Sequence, residues 1–320
     1  MMLSKNQTIL DAVRKAARLC QQVQVDITDS SMEKADRSPV TVADFGAQAL
    51  ICRVLGDAFP NDVIVAEEDS EALRENGPVL ARVVDYVNRF SELPSVQAET
   101  VCDWIDRGRG AVGDRFWTLD PIDGTKGFLR QDQYAIALAL VVGGEVQFGV
   151  LGCPNLPRRL EDLDAKRGWL FVAVRGEGAR MLALDGKGSE PIRVKEAPHR
   201  FAESFESVHS DQDAQIEIAR RLQITDPPIR MDSQVKYGLV ARGDASVYLR
   251  LPHPDHRDYR ECIWDHAAGM LIVEEAGGRV TDAQGRKLDF LQGRRMTANR
   301  GIVATNGTRH QRVLECISEF

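Results

Sequence analysis

The chain has 320 residues, 43% of them hydrophobic and 28% charged, with a formal net charge of -7. That length can bury more than one substantial core, most simply two, and no apolar run of about 18 residues is present to span a membrane. An acidic balance without a long basic run argues against non-specific nucleic-acid binding.

Residues 1–25 carry Lys5, Asp11, Arg14, Lys15 and Arg18 within an amphipathic pattern of Leu10, Val13, Ala17, Cys20 and Val23. This predicts a first helix, not a signal peptide. A second helix is expected from Pro39-Val-Thr-Val-Ala-Asp44 onward through Phe45, Leu50, Ile51 and Val54, with Thr41 as N-cap and Asp44 in the first turn. The apolar residues 63–66 predict a strand that runs into Glu67-Glu68-Asp69-Ser70, which puts acids at its end. Helical character is expected over 71–88, a break over 91–100 and a loop over 108–114. Residues 116–119 then predict a buried strand that Pro121 stops at Asp120. Two further strands, 134–142 and 145–151, are joined at Gly143-Gly144, a hairpin signal.

The stretch 154–166, rich in proline, arginine and acids, is the expected boundary between domains 1–155 and 156–320. Beyond it strands are expected at 169–175, 192–194, 201–208, 245–251 and 301–305. Helices near 211–222, 234–242, 265–276 and 308–318 alternate with them, which predicts a layered α/β arrangement. Asp265 would open the third of these helices, and Gly277-Gly278 would end it. Six cysteines, Cys20, Cys52, Cys102, Cys153, Cys262 and Cys316, form no Cys-x-x-Cys pair, as expected of reduced thiols in a cytoplasm.

The segment Phe116-Trp-Thr-Leu-Asp-Pro-Ile-Asp-Gly-Thr-Lys-Gly127 holds two carboxylates three positions apart, stiffened by Pro121. Asp120, the Ile122 carbonyl and Asp123 offer the oxygen donors that hard cations such as Mg²⁺ take. The amides of Gly124 and Thr125 could donate to phosphate. By itself the pair fits a surface turn equally well. Were further acids gathered beside it, metals would be needed: like charges 4 Å apart repel by about 4 kcal/mol at an effective dielectric near 20.

Ser38-Pro-Val-Thr-Val-Ala-Asp44, Ala66-Glu-Glu-Asp-Ser70, Trp117-Thr-Leu-Asp-Pro-Ile-Asp-Gly-Thr-Lys-Gly-Phe128 and Trp264-Asp-His-Ala-Ala-Gly269 occur in this order, and together they resemble the inositol monophosphatase superfamily. Thr125-Lys-Gly-Phe-Leu-Arg130, Gly149-Val-Leu-Gly-Cys-Pro-Asn155 and Lys236-Tyr-Gly238 look most like its 3'(2'),5'-bisphosphate nucleotidase branch. The resemblance implies a five-layer αβαβα sandwich, α/β in class with an α+β N-terminal half. It also implies a Mg²⁺ site: Glu67, Asp120 and the Ile122 carbonyl around one ion, Asp120, Asp123 and Asp265 around a second, and a third, weaker ion on Glu67. Asp44 and the Thr125 hydroxyl would orient the attacking water, with Glu68 standing behind the ligands. Gly124, Thr125, His209, Ser233, Lys236 and Arg250 would contact the substrate. Taken singly, Lys236 and Arg250 fit solvated charges, Ser233 a turn residue and His209 a loop histidine equally well.

The implied reaction removes the 3'-phosphate of adenosine 3',5'-bisphosphate, and of its sulfated form, 3'-phosphoadenylyl sulfate, with inhibition by lithium. An inositol phosphate phosphatase and a low-turnover nucleotide-binding sensor are the alternatives. A monomer acting on a small phosphate ester, without nucleic-acid or membrane partners, is expected.

Overall fold

The computed structural model describes residues 2–29, 38–162, 165–197, 199–205, 212–252 and 258–319. The expected stripe from Leu10 to Val23 forms the buried side of α1 (Met2–Asp29), and α2 (Ser38–Ala58) packs beside it. β1 (Val63–Ala66) follows. The charged stretch after it is two helices, not one: α3 (Glu71–Glu75) ends at Asn76, whose side chain accepts from Val79 N and caps α4 (Gly77–Phe90). The expected break is short, because α5 (Ala98–Asp106) begins inside it.

β2 (Arg115–Asp123) continues past the proline that was expected to end it. β1 pairs with it only as far as Leu119, and its register with β3 (Ala135–Val142) shifts between Asp120 and Asp123. A proline beyond the last β1 pair, at such a bulge, interrupts no regular ladder. α6 (Thr125–Leu129) lies between β2 and β3. β3 turns into β4 (Glu145–Pro157) through Gly143 and Gly144, whose φ values of 58° and 79° are those a type I′ turn demands at both central positions. β5 (Arg167–Val174), β6 (Gly178–Ala183) and β7 (Ser189–Ile192) complete a seven-stranded sheet in sequential order, parallel only at β1–β2. Position 155, the expected boundary, falls inside β4, and the sheet runs on to Ile192.

The second sheet has the order β11-β12-β10-β8-β9. In chain order its region comprises β8 (Phe201–Glu203), α7 (Gln212–Arg221), β9 (Ile229–Arg230), α8 (Val235–Arg242), β10 (Val247–Arg250), a 3₁₀ turn at Ile263–Asp265, α9 (Ala267–Glu275), β11 (Arg279–Thr281), β12 (Ile302–Thr305) and α10 (His310–Ser318). Asp265 therefore closes a tight turn before α9 and does not open the helix itself.

Three apolar cores separate five layers. Leu19, Leu50 and Val83 of the N-terminal helices meet Trp117, Leu119 and Leu138 on one face of the first sheet. Phe116, Ala137 and Phe171 on the opposite face pack with Tyr237 of α8 and Leu271 of α9, which meet Tyr248 and Ile302 of the second sheet. Leu249 and Val303 on that sheet's outer face pack against Ile218 of α7 and Val313 of α10. This is the expected αβαβα order. All six cysteines are free. Among the described residues no helix is long and apolar enough to cross a membrane.

Candidate metal-phosphate site

Strand alternation decides where the acids point. Ile64 and Ala66 join the core under the N-terminal helices while Val65 joins the core of the middle layer, so Glu67, one step on, continues the middle-layer side. In β2, Trp117 and Leu119 face the N-terminal helices and Phe116 the middle layer, so Thr118 and Asp120 follow Phe116. The strands are parallel with Ala66 opposite Leu119, and Glu67 N donates to Leu119 O at 3.1 Å. Glu67 and Asp120 thus emerge side by side, at the same end and on the face that meets the Asp265 turn.

There a cavity of about 520 Å³ is lined by Glu67, Asp120, Ile122, Asp123, Gly124, Thr125, Ser233, Lys236, Arg250 and Asp265. Ten of the residues singled out in the sequence share one wall. Asp44 is not among them: it is buried in the second turn of α2, beyond the reach of a first-turn capping role, and feels the charges of Glu68 and Glu67. Glu68 is half-buried behind Glu67. His209 and the side chain of Thr41 lie outside the described residues.

At the acidic end, like charges crowd together. Burial, then Asp265 and Glu68, pushes the Glu67 carboxyl up to about 8. Burial, then Glu67, Asp123 and Asp265, holds Asp120 well above the usual carboxylate range. Asp265 is raised by burial to about 6, with Arg250 opposing the shift. Burial, then Glu68 and Glu67, likewise raises Asp44. Asp120 Oδ1 is buried without a hydrogen-bond partner among the described residues. Carboxylate and carbonyl oxygens are the donors of a hard divalent cation, and the orphaned Asp120 oxygen is the atom such an ion would satisfy. The donor set therefore fits Mg²⁺.

Backbone geometry holds Asp123 in place. Gly124 has φ +91°, and a Cβ there would stand 2.8 Å from Ser233 Cβ, so glycine permits both the bend and the approach of the next segment. Ser233 itself takes a left-handed φ of 69°. Its Oγ accepts from Val235 N at 3.2 Å, and Gln234 N donates to Asp123 Oδ2 at 2.5 Å. The start of α8 is thereby fastened to a predicted metal ligand.

At the cationic end, Lys236 is only 2% exposed. Its Nζ donates to Met231 O at 3.0 Å and stands 5.3 Å from the Tyr248 ring centroid. Burial draws its pKa down to about 8 against the pull of Asp123. Arg250 Nε pairs with Glu261 at 2.9 Å, Glu261 lies 3.3 Å from His266 Nε2, and His266 Nδ1 meets the Tyr237 hydroxyl at 2.8 Å. Glu261, Asp265 and His266 also form a grouping of potential metal ligands within 4.8 Å. Glu261 and His266 already have partners, and their chain holds the Asp265 turn.

Sequence reasoning missed three supports. Gln48, fully buried one turn beyond Asp44 on α2, accepts from Glu68 N at 3.1 Å and donates to Glu68 O at 2.6 Å and Ile105 O at 3.0 Å. Arg294 donates to Ala66 O at 2.5 Å and Glu67 O at 3.3 Å, and its guanidinium stands 4.6 Å from the Trp264 ring centroid. It braces the segments carrying Glu67 and Asp265 against each other. Glu261 is the third, the buried counter-charge that Arg250 demands.

The model of the inositol monophosphatase family matches residues 4–319. A 3'(2'),5'-bisphosphate nucleotidase of Oryza sativa is 45% identical over 96% of this chain and 92% of its own length. A nucleotidase of the same name from Schizosaccharomyces pombe is 42% identical over 98% and 94%. Among solved structures, an IMPase of Thermotoga maritima aligns with a TM-score of 0.60 at 23% identity, covering 97% of this chain and 95% of that one. An inositol monophosphatase from Anabaena aligns with a TM-score of 0.59 at 22% identity, covering 98% and 96%. At that identity the two structures bear on the fold alone.

Proposed function

Since the chain belongs to the inositol monophosphatase family, we propose that it is a Mg²⁺-dependent 3'(2'),5'-bisphosphate nucleotidase, which hydrolyses the 3'-phosphate of adenosine 3',5'-bisphosphate to give AMP and phosphate. The observation that carries this reading is one cavity with an acidic cage at one end and Lys236 and Arg250 at the other. A bisphosphate needs cations that a metal cage cannot offer at its far end. A monophosphate does not.

Glu67, Asp120 and the Ile122 carbonyl would hold one ion, Asp120, Asp123 and Asp265 a second, and Glu67 a weaker third. Bound divalent ions lower the pKa of a coordinated water and offset charge on the leaving oxygen. Asp44, buried behind the cavity wall, and the Thr125 hydroxyl would orient the water, and the amides of Gly124 and Thr125 would face the phosphate being transferred. Ser233, Lys236 and Arg250 hold the nucleotide's second phosphate, so the scissile ester is set by a contact remote from it. Gln48 holds the Glu68 backbone and Arg294 the Ala66 and Glu67 carbonyls, which keeps the segment carrying Glu67 still. The chain acts as a monomer in the cytoplasm, in keeping with its free cysteines.

Phosphate release from adenosine 3',5'-bisphosphate, 3'-phosphoadenylyl sulfate and inositol monophosphate, each with Mg²⁺ and then with chelator, tests the reading. The adenosine bisphosphate is expected to be much the best substrate, with release abolished by chelation and reduced by lithium. Equal release from inositol monophosphate points to an inositol phosphatase instead, and no release from any ester points to a nucleotide sensor.

A further inference from the structure

A second cavity, of about 690 Å³, lies at the other end of α8 and is lined by Arg158, Arg159, Arg193, Lys195, Arg200 and Arg242. Its acids are Glu161, Glu190 and Asp244, so cations outnumber anions two to one on a chain of net charge -7. Each acid is already taken: Glu190 by Arg158 at 2.9 Å, Glu161 by Arg200 at 3.7 Å and Asp244 by Arg242 Nε. Arg159, Arg193 and Lys195 have no acidic partner among the described residues, and all three are exposed.

Arg242 is the uncommon member. Its side chain is 5% exposed. Nη1 donates to Pro157 O at 3.0 Å, yet Nη2 is buried with no acceptor among the described residues. A buried guanidinium donor without an acceptor is costly, and anionic oxygens are the acceptors guanidinium groups take best. Met181, Ile192 and Val194 add an apolar wall, and the volume is that of ordinary small-molecule sites.

We propose that this cavity is a binding site for a small phosphorylated molecule, whose phosphate oxygens engage Arg159, Arg193 and Lys195 above the buried Arg242. The site is distinct from the catalytic cavity but joined to it, because α8 is buried along its length and carries Lys236 at one end and Arg242 at the other. Its eight residues span about 12 Å at 1.5 Å per residue.

Calorimetric titration of pyrophosphate into the full-length protein in the presence of chelator tests the assignment, since chelation removes the ions through which the catalytic cavity would bind phosphate at its acidic end. One site per chain is expected. The variant carrying Arg193→Ala and Lys195→Ala, both at exposed positions, is expected to bind at least tenfold more weakly with an unchanged Tm. Lys126→Ala, at a residue that also lines the catalytic cavity, is expected to leave binding as it was. No binding by the wild type, undiminished binding by the double variant, or loss with Lys126→Ala would each overturn the assignment.

Discussion

At the acidic end of the catalytic cavity, Glu67, Asp120, Asp123 and Asp265 repel one another, and a buried oxygen of Asp120 has no partner. At the cationic end, a few residues away on α8 and β10, Lys236 donates to Met231 O and Arg250 is ion-paired with Glu261, each held by a group of the protein itself. The acids are incomplete without an added cation, whereas the bases are arranged before any ligand arrives. Burial works in opposite ways in the two halves: it amplifies unmet repulsion in one and fixes orientation in the other.

The contrast breaks most sharply at Asp120. Asp120→Asn removes a charge the proposed ions share and is expected to lower kcat by about 10³-fold, roughly 4 kcal/mol. Phosphate release across a Mg²⁺ titration measures it, and wild-type turnover at low Mg²⁺ would show that the cage is no cage. At the prearranged end, Arg250→Ala leaves the buried Glu261 with only His266 beside it, at a cost of about 3 kcal/mol in denaturant unfolding. The same variant should raise KM for the bisphosphate far more than for a monophosphate, and equal changes would remove Arg250 from substrate recognition. Gln48→Ala should cost about 2 kcal/mol of stability through the unmet Glu68 amide, together with a weaker apparent Mg²⁺ affinity, while substrate KM at saturating Mg²⁺ stays put.

The smallest effect is a pH trend. Glu67 stands at about 8 against an ordinary 4.5, and Asp265 at about 6 against 3.8. Without metal the folded state therefore holds more protons than the unfolded one over this range, so this stabilisation is present in full below pH 4 and is lost as pH rises towards 8. The Tm of chelated protein should fall by several degrees between pH 5 and 8, and the gain on adding Mg²⁺ should grow over the same interval. A chelated Tm that rises across that window would show that these carboxyls are not crowded.

What could be read in the chain was local: acids placed directly after apolar strands and the Gly143-Gly144 hairpin, whereas the tight turn that carries Asp265 before α9 reads in the sequence as the start of the helix. What could not be read was long-range. Nothing near Glu67 tells that β1 lies parallel to β2 with Ala66 against Leu119, although that register alone sets Glu67 beside Asp120. Pro121 was misjudged because its permissibility depends on where a neighbouring strand stops. Gln48, Glu261 and Arg294 look like solvated residues by type, and only partners far along the chain make them structural. β6 and α5 were missed for a simpler reason: mixed polar sequence over short lengths carries little periodic signal, and neighbouring elements decide.

Arg294 fastens Ala66 and Glu67 while stacking on Trp264, next to Asp265. A chain growing from its amino end acquires Glu67, Asp120 and Asp123 early in translation, but the clamp that joins the first and last of the acids arrives only with residue 294. A ribosome-bound fragment ending sooner lacks both this clamp and β12, the strand that joins β11 to β10 in the second sheet, so the two ends of the acid cage would be locked together only after both have emerged.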